Sequence, residues 1–563
     1  MAMSSREVCR LWCAVVCVVS VLAGQVFAGP PPDSWEVVVN DAGVSAMHAT
    51  LMPSNRVVIF DRTNMGKSNI TFPDGYCREN PRDQKLKRDC TAHSVAYDIA
   101  TNSIQCLKVF SDVFCSAGAH RADGTLLQAG GWNDGGNVVR TLGPNPNDDW
   151  IEYPNAPDAL LSSRWYSSVL ILPDDRVIIV GGRRAMSYEF HPRATGEGLF
   201  KLPFLRDTNT IGSELNLYPF LFLNTDGNLI IFANQDCILF NYRSNSVVRT
   251  YPRIPDGPRN YPASGAAVLL PLSARDKFTR SEIMICGGTP VDAFQNVGKG
   301  VFDLALTSCG RMVVTAKDPK WTMLQMPMPR VMGDMVIMPT GELLIINGAR
   351  NGSAGWRSAK DPVLTPVTFE PARNRFTVWR ASTIPRMYHS VALMLPSGKV
   401  FVAGGNANPG YSFRNVEFPT ELRIELYSPY YLAKKYNARR PNIVDAPKVV
   451  TYGSSFVVRF ETASKPKGVQ FHLYAPSFAT HTNSMNQRML VLASDPVGDP
   501  AQGSNVCSTV VYAPPDPVRA PAGYYLLTVL NEGTPSPSVW VQITRKPAQS
   551  PAQPLRRAAS GVA

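Results

Sequence analysis

Seven stretches of the chain follow one hydrophobic plan: a short apolar strand, a polar turn, and a second apolar strand that usually closes on a Gly pair. They read AMHATLMPSNRVVIFD, CSAGAHRADGTLLQAG, YSSVLILPDDRVIIVG, YPFLFLNTDGNLIIFA, YPASGAAVLLPLSARDKFTRSEIMICGG, MGDMVIMPTGELLIIN and HSVALMLPSGKVFVAG. Positions equivalent to the first Gly of the pair are Asp61, Gly130, Gly181, Ala233, Gly287, Asn347 and Gly404, separated by 51 to 69 residues. One such unit cannot bury its apolar face alone, so the units must stack on each other. A repeat of this length fits four-stranded blades, and seven hairpins predict an all-β, seven-bladed β-propeller of the kelch kind. A β-sandwich would also supply short strands, but not a repeat near fifty residues. Pro-rich connections such as Pro144 to Pro157 are expected as inter-strand loops.

After Gly405 the repeat stops. The segments VVTYGSSFVVRFE, KGVQFHLYAP, RMLVLAS, NVCSTVVYAPP and GYYLLTVLNEG alternate apolar and polar positions at a different spacing. They predict a C-terminal Ig-like β-sandwich of about one hundred residues. The expected division is a signal segment over 1–28, the propeller over 29–421, the Ig-like domain over 422–545 and a tail over 546–563. That tail, KPAQSPAQPLRRAASGVA with its preceding Arg545, is too poor in apolar residues to fold.

The signal segment is read from Arg6 and Arg10, the apolar run Leu11–Leu22, and the small residues at Val26-Phe27-Ala28. Its apolar run is too short for a stable membrane span, so no membrane partner is expected and the protein is expected to be secreted into an extracellular, cell-wall or apoplast-like space. Removing residues 1–28 leaves eight cysteines: Cys77, Cys90, Cys106, Cys115, Cys237, Cys286, Cys309 and Cys507. In an oxidising compartment disulfides are the default. Cys77–Cys90 and Cys286–Cys309 form the nearest loops, although spacing does not fix connectivity. Asn69 and Asn351 begin glycosylation sequons. The net charge of +12 has no long basic run behind it. Nucleic acid is therefore not expected as a partner, whereas loose attraction to acidic wall polysaccharide is.

Fifteen residues before Gly130, Gly181 and Gly404 stand Cys115, Tyr166 and His389. Equal offsets in equivalent hairpins mean equivalent places in the fold. A thiol, a phenol and an imidazole, with Tyr388 beside the last, are thus expected at one mouth of a central channel. His481, in SFATHTNSMNQR, follows a strand in a polar loop that can reach them. Two imidazoles and two phenolates form an N,O set that suits Cu(II). Zinc would favour an N/S set with Cys-x-x-Cys spacing, which is absent. Taken singly, each residue also has a plain reading. Cys115 could be half of a disulfide, Tyr166 and Tyr388 core aromatics, and the two histidines satisfied loop residues. His48 and Asp334 occupy matching positions two residues into their strands and are expected in structural roles.

The motifs FCSAG, RWYSS, RMYHSVALMLPSGKVFVAGGN and THTNSMNQR together resemble the copper-radical oxidases, the galactose oxidase and glyoxal oxidase family, over nearly all of the chain after the signal. The two-domain layout is closer to the glyoxal oxidases. The resemblance implies one copper per chain, with Tyr166, Tyr388, His389 and His481 as its ligands. It also implies a thioether bond between Cys115 and Tyr166, whose ring stores a radical, and Tyr388 as the base. Galactose oxidase stacks a tryptophan on the cross-linked ring. The corresponding segment here, GGRRAMSYEFHP, has none, leaving Tyr188 or Arg183 as candidates to cover it. That difference favours small aldehydes over galactose. The expected activity is oxidation of aldehydes such as glyoxal or methylglyoxal to acids by a monomer, with O2 reduced to H2O2. The alternatives are oxidation of galactose or other primary alcohols of the cell wall, and a non-catalytic kelch propeller that binds glycan or protein.

Overall fold

In the computed structural model, residues 33–545 are described, apart from 211, 499 and 501–503. The expected signal segment (1–28) and expected tail (546–563) lie outside these residues. The chain is nearly all β. Each of the seven predicted hairpins is an antiparallel pair, and each pair is extended to a four-stranded sheet. First strands of the sheets are His48–Leu51, Ala117–His120, Ser167–Ile171, Phe220–Leu223, Ala266–Leu269, Asp334–Ile337 and Ser390–Met394. They are almost wholly buried, whereas an outer strand such as Ser246–Thr250 is mostly exposed. Burial on both faces explains why these first strands read as near-continuous apolar runs with little alternation.

The first strands pack on one another. Ser167–Ile171 contacts Ala117–His120 and Phe220–Leu223, and Ser390–Met394 contacts His48–Leu51 and Asp334–Ile337. Sheet faces close on apolar cores such as that of Phe220, Phe232, Leu239, Leu269 and Ile283. The last sheet takes its outer strand, Ser34–Val39, from the opposite end of the chain, paired with Ile424–Ser428. Because Ile424–Ser428 pairs with Val400–Gly404, this sheet runs past the expected boundary at 421. The Pro144–Pro157 connection also differs from expectation. It contains a strand, Trp150–Tyr153, which pairs with Val139–Leu142 and buries Trp150.

Beyond two small two-stranded sheets, the C-terminal strands form two sheets facing each other across a core that includes Val458, Phe460, Phe471, Leu473, Leu490 and Val541. One sheet holds Asn442–Asp445, Ser455–Glu461 and Val506–Tyr512, and the other is built around Gln470–Ala475 and Gly523–Asn531. The unusually long fifth hairpin has a purpose here. Its insertion carries Leu272–Ser273, which pairs in parallel with Arg488–Leu492 and joins the C-terminal sheet.

One excursion of the C-terminal region matters most. Phe478–Thr480 and Asn483–Met485 form a hairpin whose first strand pairs with His48–Leu51, extending the first sheet to six strands. Polar side chains around it bond to the first strands of other sheets. Asn486 donates to the Gly118 and Val169 carbonyls at 3.1 Å each, Gln487 donates to the Met335 carbonyl at 3.1 Å, and Thr482 donates to the Gly265 carbonyl at 2.7 Å. The hairpin is therefore fixed among the sheets by bonds that its own sequence, SFATHTNSMNQ, supplies.

Both expected disulfides, Cys77–Cys90 and Cys286–Cys309, are present. The second joins strands paired in register at those two residues. Cys115 is in no disulfide. Asn69 is exposed and Asn351 partly exposed. No described helix is long and apolar enough to cross a membrane.

Candidate metal centre

Strand pairing supports the equal-offset argument. Ser390 pairs with Gly404 and Ser167 with Gly181, so His389 and Tyr166 each stand immediately before the first paired residue. In the other five hairpins the pairing starts one residue later, and extending its register back to the Gly-pair position puts Ala46, Cys115, Tyr218, Ser264 and Met332 in the equivalent places. All of these except Ala46 have positive φ, from 42° to 67°. Left-handed backbone is costly for residues with a Cβ and persists only where the surroundings impose it. Here the imposing contact is a backbone chain: Tyr166 N–H donates to the Cys115 carbonyl at 2.9 Å and Tyr218 N–H to the Tyr166 carbonyl at 3.0 Å. Neighbouring sheets are thereby locked at one height, and Cys115 and Tyr166 belong to one buried cluster.

Behind these residues lies a device that the hydrophobic pattern did not reveal. Arg140, Arg164, Arg259, Arg330 and Arg386 are buried, each donating through Nη1 to a carbonyl at the Gly-pair position: Gly130, Gly181, Gly287, Asn347 and Gly404. Three have carboxylate partners. Arg164 meets Glu189 at 2.7 Å, Arg386 meets Glu425 at 2.9 Å, and Arg140 meets Glu152 at 3.4 Å. Arg164 and Arg386 stand two residues before Tyr166 and Tyr388, so these ion pairs brace the segments carrying the candidate site.

The five residues singled out by sequence are all buried, none more than 6% exposed, and the structure brings them together. Cys115 Sγ lies 3.3 Å from His481 Nε2, and donor atoms of Cys115, His389 and His481 all fall within 4.8 Å of one another. Ring centroids of His389 and His481 are 4.8 Å apart, those of Tyr388 and His481 5.5 Å, and those of Tyr166 and His481 5.9 Å. Burial pushes the Cys115 thiol and the Tyr166 and Tyr388 phenols well above their ordinary pKa values, and holds both imidazoles well below theirs. Neutral imidazoles are the form that binds a metal.

His481 occupies a two-residue turn with Thr482, both at positive φ (47° and 72°), between paired Thr480 and Asn483. Such turns ordinarily take Asn and Gly. The expected open polar loop is thus a tight, strained turn, of the kind that concentrates at functional sites. Thr480 donates its single hydroxyl proton to the Met47 carbonyl at 3.0 Å. At 2.7 Å from His481 Nδ1, its oxygen must therefore accept a proton from that nitrogen. This tautomer leaves a lone pair on Nε2, facing Cys115. His389 Nε2 is buried with no hydrogen-bond partner. A buried imidazole nitrogen without a protein partner, beside a second whose lone pair faces only the Cys115 thiol, fits a bound transition metal in this N,N,O,O neighbourhood, and the donor types suit copper.

Two phenols absent from the sequence reading of the site complete it. Tyr261 accepts from the Tyr166 hydroxyl at 3.2 Å and shares a hydrogen bond with the Tyr388 hydroxyl at 3.0 Å. Its ring stacks on Tyr166 at 4.5 Å and 23°, and burial pushes its pKa up to about 12. Tyr218 lies edge-on to Tyr166 at 5.5 Å and donates to the Ser116 carbonyl at 2.9 Å. Tyr218 had a signal, the shared offset. Tyr261, three residues before its slot in the irregular fifth hairpin, sits like Tyr218 at a blade position comparable with that of Tyr166, to which the sequence assigns no chemistry.

Neither candidate cover for the Tyr166 ring holds that place. Tyr188 packs among Phe190, Phe200 and Phe240, and Arg183 lies over Trp165, 5.3 Å from its centroid. The aromatic rings that cover the Tyr166 ring are instead Tyr261 and Trp165, the latter at 4.5 Å and 36°. His48 and Asp334 are fully buried. His48 stacks on Phe60 and faces the Ser116 hydroxyl at 3.3 Å, and Asp334 accepts from Asn347 at 2.8 Å, both structural contacts. A cleft lined by Met387, Tyr388, Gly405, Phe418 and Pro419 reaches the site. Another, lined by Ile171, Phe222, Arg488 and Tyr524, contains none of the five residues.

The chain is similar to known proteins over most of its length. The family described as glyoxal oxidase N-terminus matches residues 47–431, and the galactose oxidase-like Early set domain matches 440–543. An aldehyde oxidase of Vitis pseudoreticulata is 43% identical, covering 91% of this chain and 97% of its own. An aldehyde oxidase of Arabidopsis thaliana is 42% identical, covering 92% and 86%. Galactose oxidase of Gibberella zeae is more distant, 23% identical over 77% of this chain and 61% of its own. A solved fungal alcohol oxidase, in complex with copper, shares the fold with a TM-score of 0.70 at 18% identity, covering 91% of this chain and 99% of that one.

Proposed function

Since the chain belongs to the glyoxal oxidase family, we propose that it is a copper-radical aldehyde oxidase, turning R–CHO, water and O2 into R–COOH and H2O2. The observation that carries this reading is the convergence of Cys115, Tyr166, Tyr388, His389 and His481 around a His389 nitrogen without a protein partner and a His481 lone pair that faces only the Cys115 thiol. Tyr166, Tyr388, His389 and His481 would hold the copper. When bound, copper supplies one oxidising equivalent and a Lewis acid for the substrate oxygen.

The rest is the work of this chain's residues. A Cys115–Tyr166 thioether forms by loss of the thiol hydrogen and one ring hydrogen, with O2 as oxidant. Sulfur substitution makes that ring easier to oxidise, so Tyr166 stores the second oxidising equivalent that a two-electron oxidation requires. Burial alone keeps Tyr388 a neutral phenol; held as a phenolate by bound copper, it would take the hydroxyl proton of the hydrated aldehyde, whose gem-diol presents the O–H and C–H that the chemistry consumes. Tyr261, hydrogen-bonded to both phenols, ties their oxygens to each other. Thr480 keeps His481 in the tautomer that presents Nε2, the orienting part that metal-bound imidazoles usually receive from a neighbour.

In the same reading the seven sheets are blades of a kelch-type propeller and the two facing C-terminal sheets form an Ig-like domain. That domain contributes His481 and is no detachable accessory. We further propose secretion into the wall space, with Asn69 and Asn351 as glycosylation sites, acidic polysaccharide as a loose partner, and a monomeric protein. The test is a peroxidase-coupled panel of glyoxal, methylglyoxal and galactose on copper-loaded protein, with mass spectrometry of a reduced digest. Aldehyde turnover and a joined Cys115–Tyr166 peptide, two hydrogens lighter than the sum, are expected. An ordinary Cys115 peptide from fully active protein would overturn the radical mechanism. Galactose turnover without aldehyde turnover would reassign the substrate.

A further inference from the structure

The Cys77–Cys90 disulfide closes a loop, RENPRDQKLKRD, that holds five basic and three acidic residues between its cysteines. Folding sorts these charges. Asp83 and Asp89 are buried, and Arg78 is buried with them, its guanidinium 2.6 Å from Asp83, 3.9 Å from Asp89 and donating to the Phe110 carbonyl at 2.8 Å. Arg82, Lys85, Lys87 and Arg88 stay exposed. The one acid left outside with them is Glu79, which meets Arg88 at 3.1 Å with both side chains about two-thirds exposed, a weak pair. Lys87 Nζ donates to the Pro81 and Asp83 carbonyls, which holds the turn without neutralising the charge. Arg82 and Lys85 donate through their backbone amides to Asn80 and Asp83, and among the described residues their side-chain charges meet no carboxylate. A segment of mixed charge in the sequence thus presents an almost uniformly positive face once folded.

That face is fixed in place beside the candidate centre. Asn80 donates to Asp134 at 2.7 Å, Asn133 to the Arg82 carbonyl at 2.9 Å, and Trp132 Nε1 to Gln84 at 3.1 Å. Trp132 packs on Trp165 with centroids 4.2 Å apart, and Trp165 on Tyr166 at 4.5 Å, so the loop is two aromatic rings removed from Tyr166. Cations on a cross-linked, internally bonded loop bind with little further ordering of the backbone. Several of them, each weak alone, suit a partner whose own charges repeat along a chain. The loop has no exposed large apolar side chain with which to enter a lipid layer. What stands beside it is Trp132, partly exposed, whose rigid amphipathic ring suits the face of a sugar.

We propose that the 77–90 loop is the docking surface for an acidic polysaccharide, a chain of uronic acids whose carboxylates pair with Arg82, Lys85 and Arg88. The inference rests on the polysaccharide-partner reading above and gives it one address instead of the whole basic surface. Docking is ionic and reversible, and no covalent bond is made or broken. It holds the polymer next to the candidate centre, so that H2O2 leaves the enzyme against the bound chain.

The experiment measures binding of the full, copper-loaded chain to immobilised polygalacturonate by surface plasmon resonance. One variant carries Arg82→Gln, Lys85→Gln and Arg88→Gln together. A second carries Lys434→Gln, Lys435→Gln and Lys467→Gln, which remove the same charge from exposed positions of the C-terminal region. Losing three exposed ion pairs should weaken binding roughly tenfold in the loop variant, against less than about twofold in the other. Arg82→Lys with Arg88→Lys, which keeps the charge, should bind as the wild type does. Added salt should weaken wild-type binding, and fully methyl-esterified polymer should not compete. The loop variant should keep the wild-type Tm and kcat/KM for methylglyoxal, which assigns its loss to docking and not to folding. Equal weakening in the two Gln variants would overturn the docking loop and leave only attraction by net charge. No binding by the wild type would overturn the loop and the polysaccharide reading together. Phosphatidylserine vesicles that bind the wild type as tightly as the polymer does, and the loop variant as poorly, would make the loop a lipid contact and overturn the proposal.

Discussion

The buried Arg164–Glu189 pair ties stability to the site, and Glu189→Gln tests that link. Both side chains are 1% exposed or less. Glu189 accepts from Arg164 Nε and from the Leu161 amide, both at 2.7 Å, while Arg164 also donates to the Gly181 and Ser187 carbonyls. Gln keeps the shape and one acceptor but leaves Arg164 charged, buried and without a counterion. Breaking a buried pair from one side costs roughly 3–5 kcal/mol. Because the amide oxygen and two carbonyls remain, about 3 kcal/mol is expected, roughly a hundredfold in the folding equilibrium. The solvent-exposed pair Arg176–Asp174, at 27% and 45% exposure, supplies the control. Asp174→Asn should cost less than about 1 kcal/mol. Guanidinium denaturation of the metal-free proteins measures both. The loss should reach function, because Arg164 also accepts, through its carbonyl, the Gly131 amide at 3.0 Å and leads directly into Trp165-Tyr166. Cross-linking of Cys115 to Tyr166 after copper addition, followed by mass spectrometry, should slow. If Glu189→Gln stays within about 0.5 kcal/mol of wild type, the buried ion pair does not brace the site and the argument fails.

Three further outcomes follow from the geometry. Tyr261→Phe keeps the ring stacked on Tyr166 but removes the oxygen that bridges Tyr166 and Tyr388; kcat/KM for methylglyoxal should fall about tenfold or more, at a cost of roughly 1–3 kcal/mol for the unsatisfied hydroxyl, and unchanged kinetics would exclude a positioning role. Gly404→Ala places a Cβ 2.4 Å from the Ala46 carbonyl oxygen and 2.5 Å from that of His389, at φ +76°; calorimetric copper titration should show weakened binding, and wild-type affinity would mean that His389 does not depend on this close approach. Asp334 is buried, which pushes its carboxyl up from 3.8 to about 7. Its native form therefore holds a proton that the unfolded chain releases, and the stability this contributes is present below about pH 4 and lost as pH rises through about 7. Asp334→Asn should lessen the fall in Tm between pH 5 and pH 8, and an identical fall would assign it to other groups.

Periodicity alone determined a good deal. Seven apolar hairpins with equivalent closing positions required seven stacked sheets, because each is too small to bury itself, and equal offsets from Gly130, Gly181 and Gly404 marked Cys115, Tyr166 and His389 as neighbours. Residue type added the metal chemistry. What periodicity cannot express is any contact formed across sheets by side chains at unequal offsets. Tyr261 joins the phenols from an irregular hairpin, and Thr480 sets the His481 tautomer by spending its own proton on Met47, 433 residues away. The strand Ile424–Ser428 fell outside the repeat because its partner, Ser34–Val39, comes from the far end of the chain. Hydrophobic patterning is written locally, since burial is decided by one strand's faces. Hydrogen-bond satisfaction is decided by whatever the fold brings within about 3 Å, and that only the tertiary structure could supply.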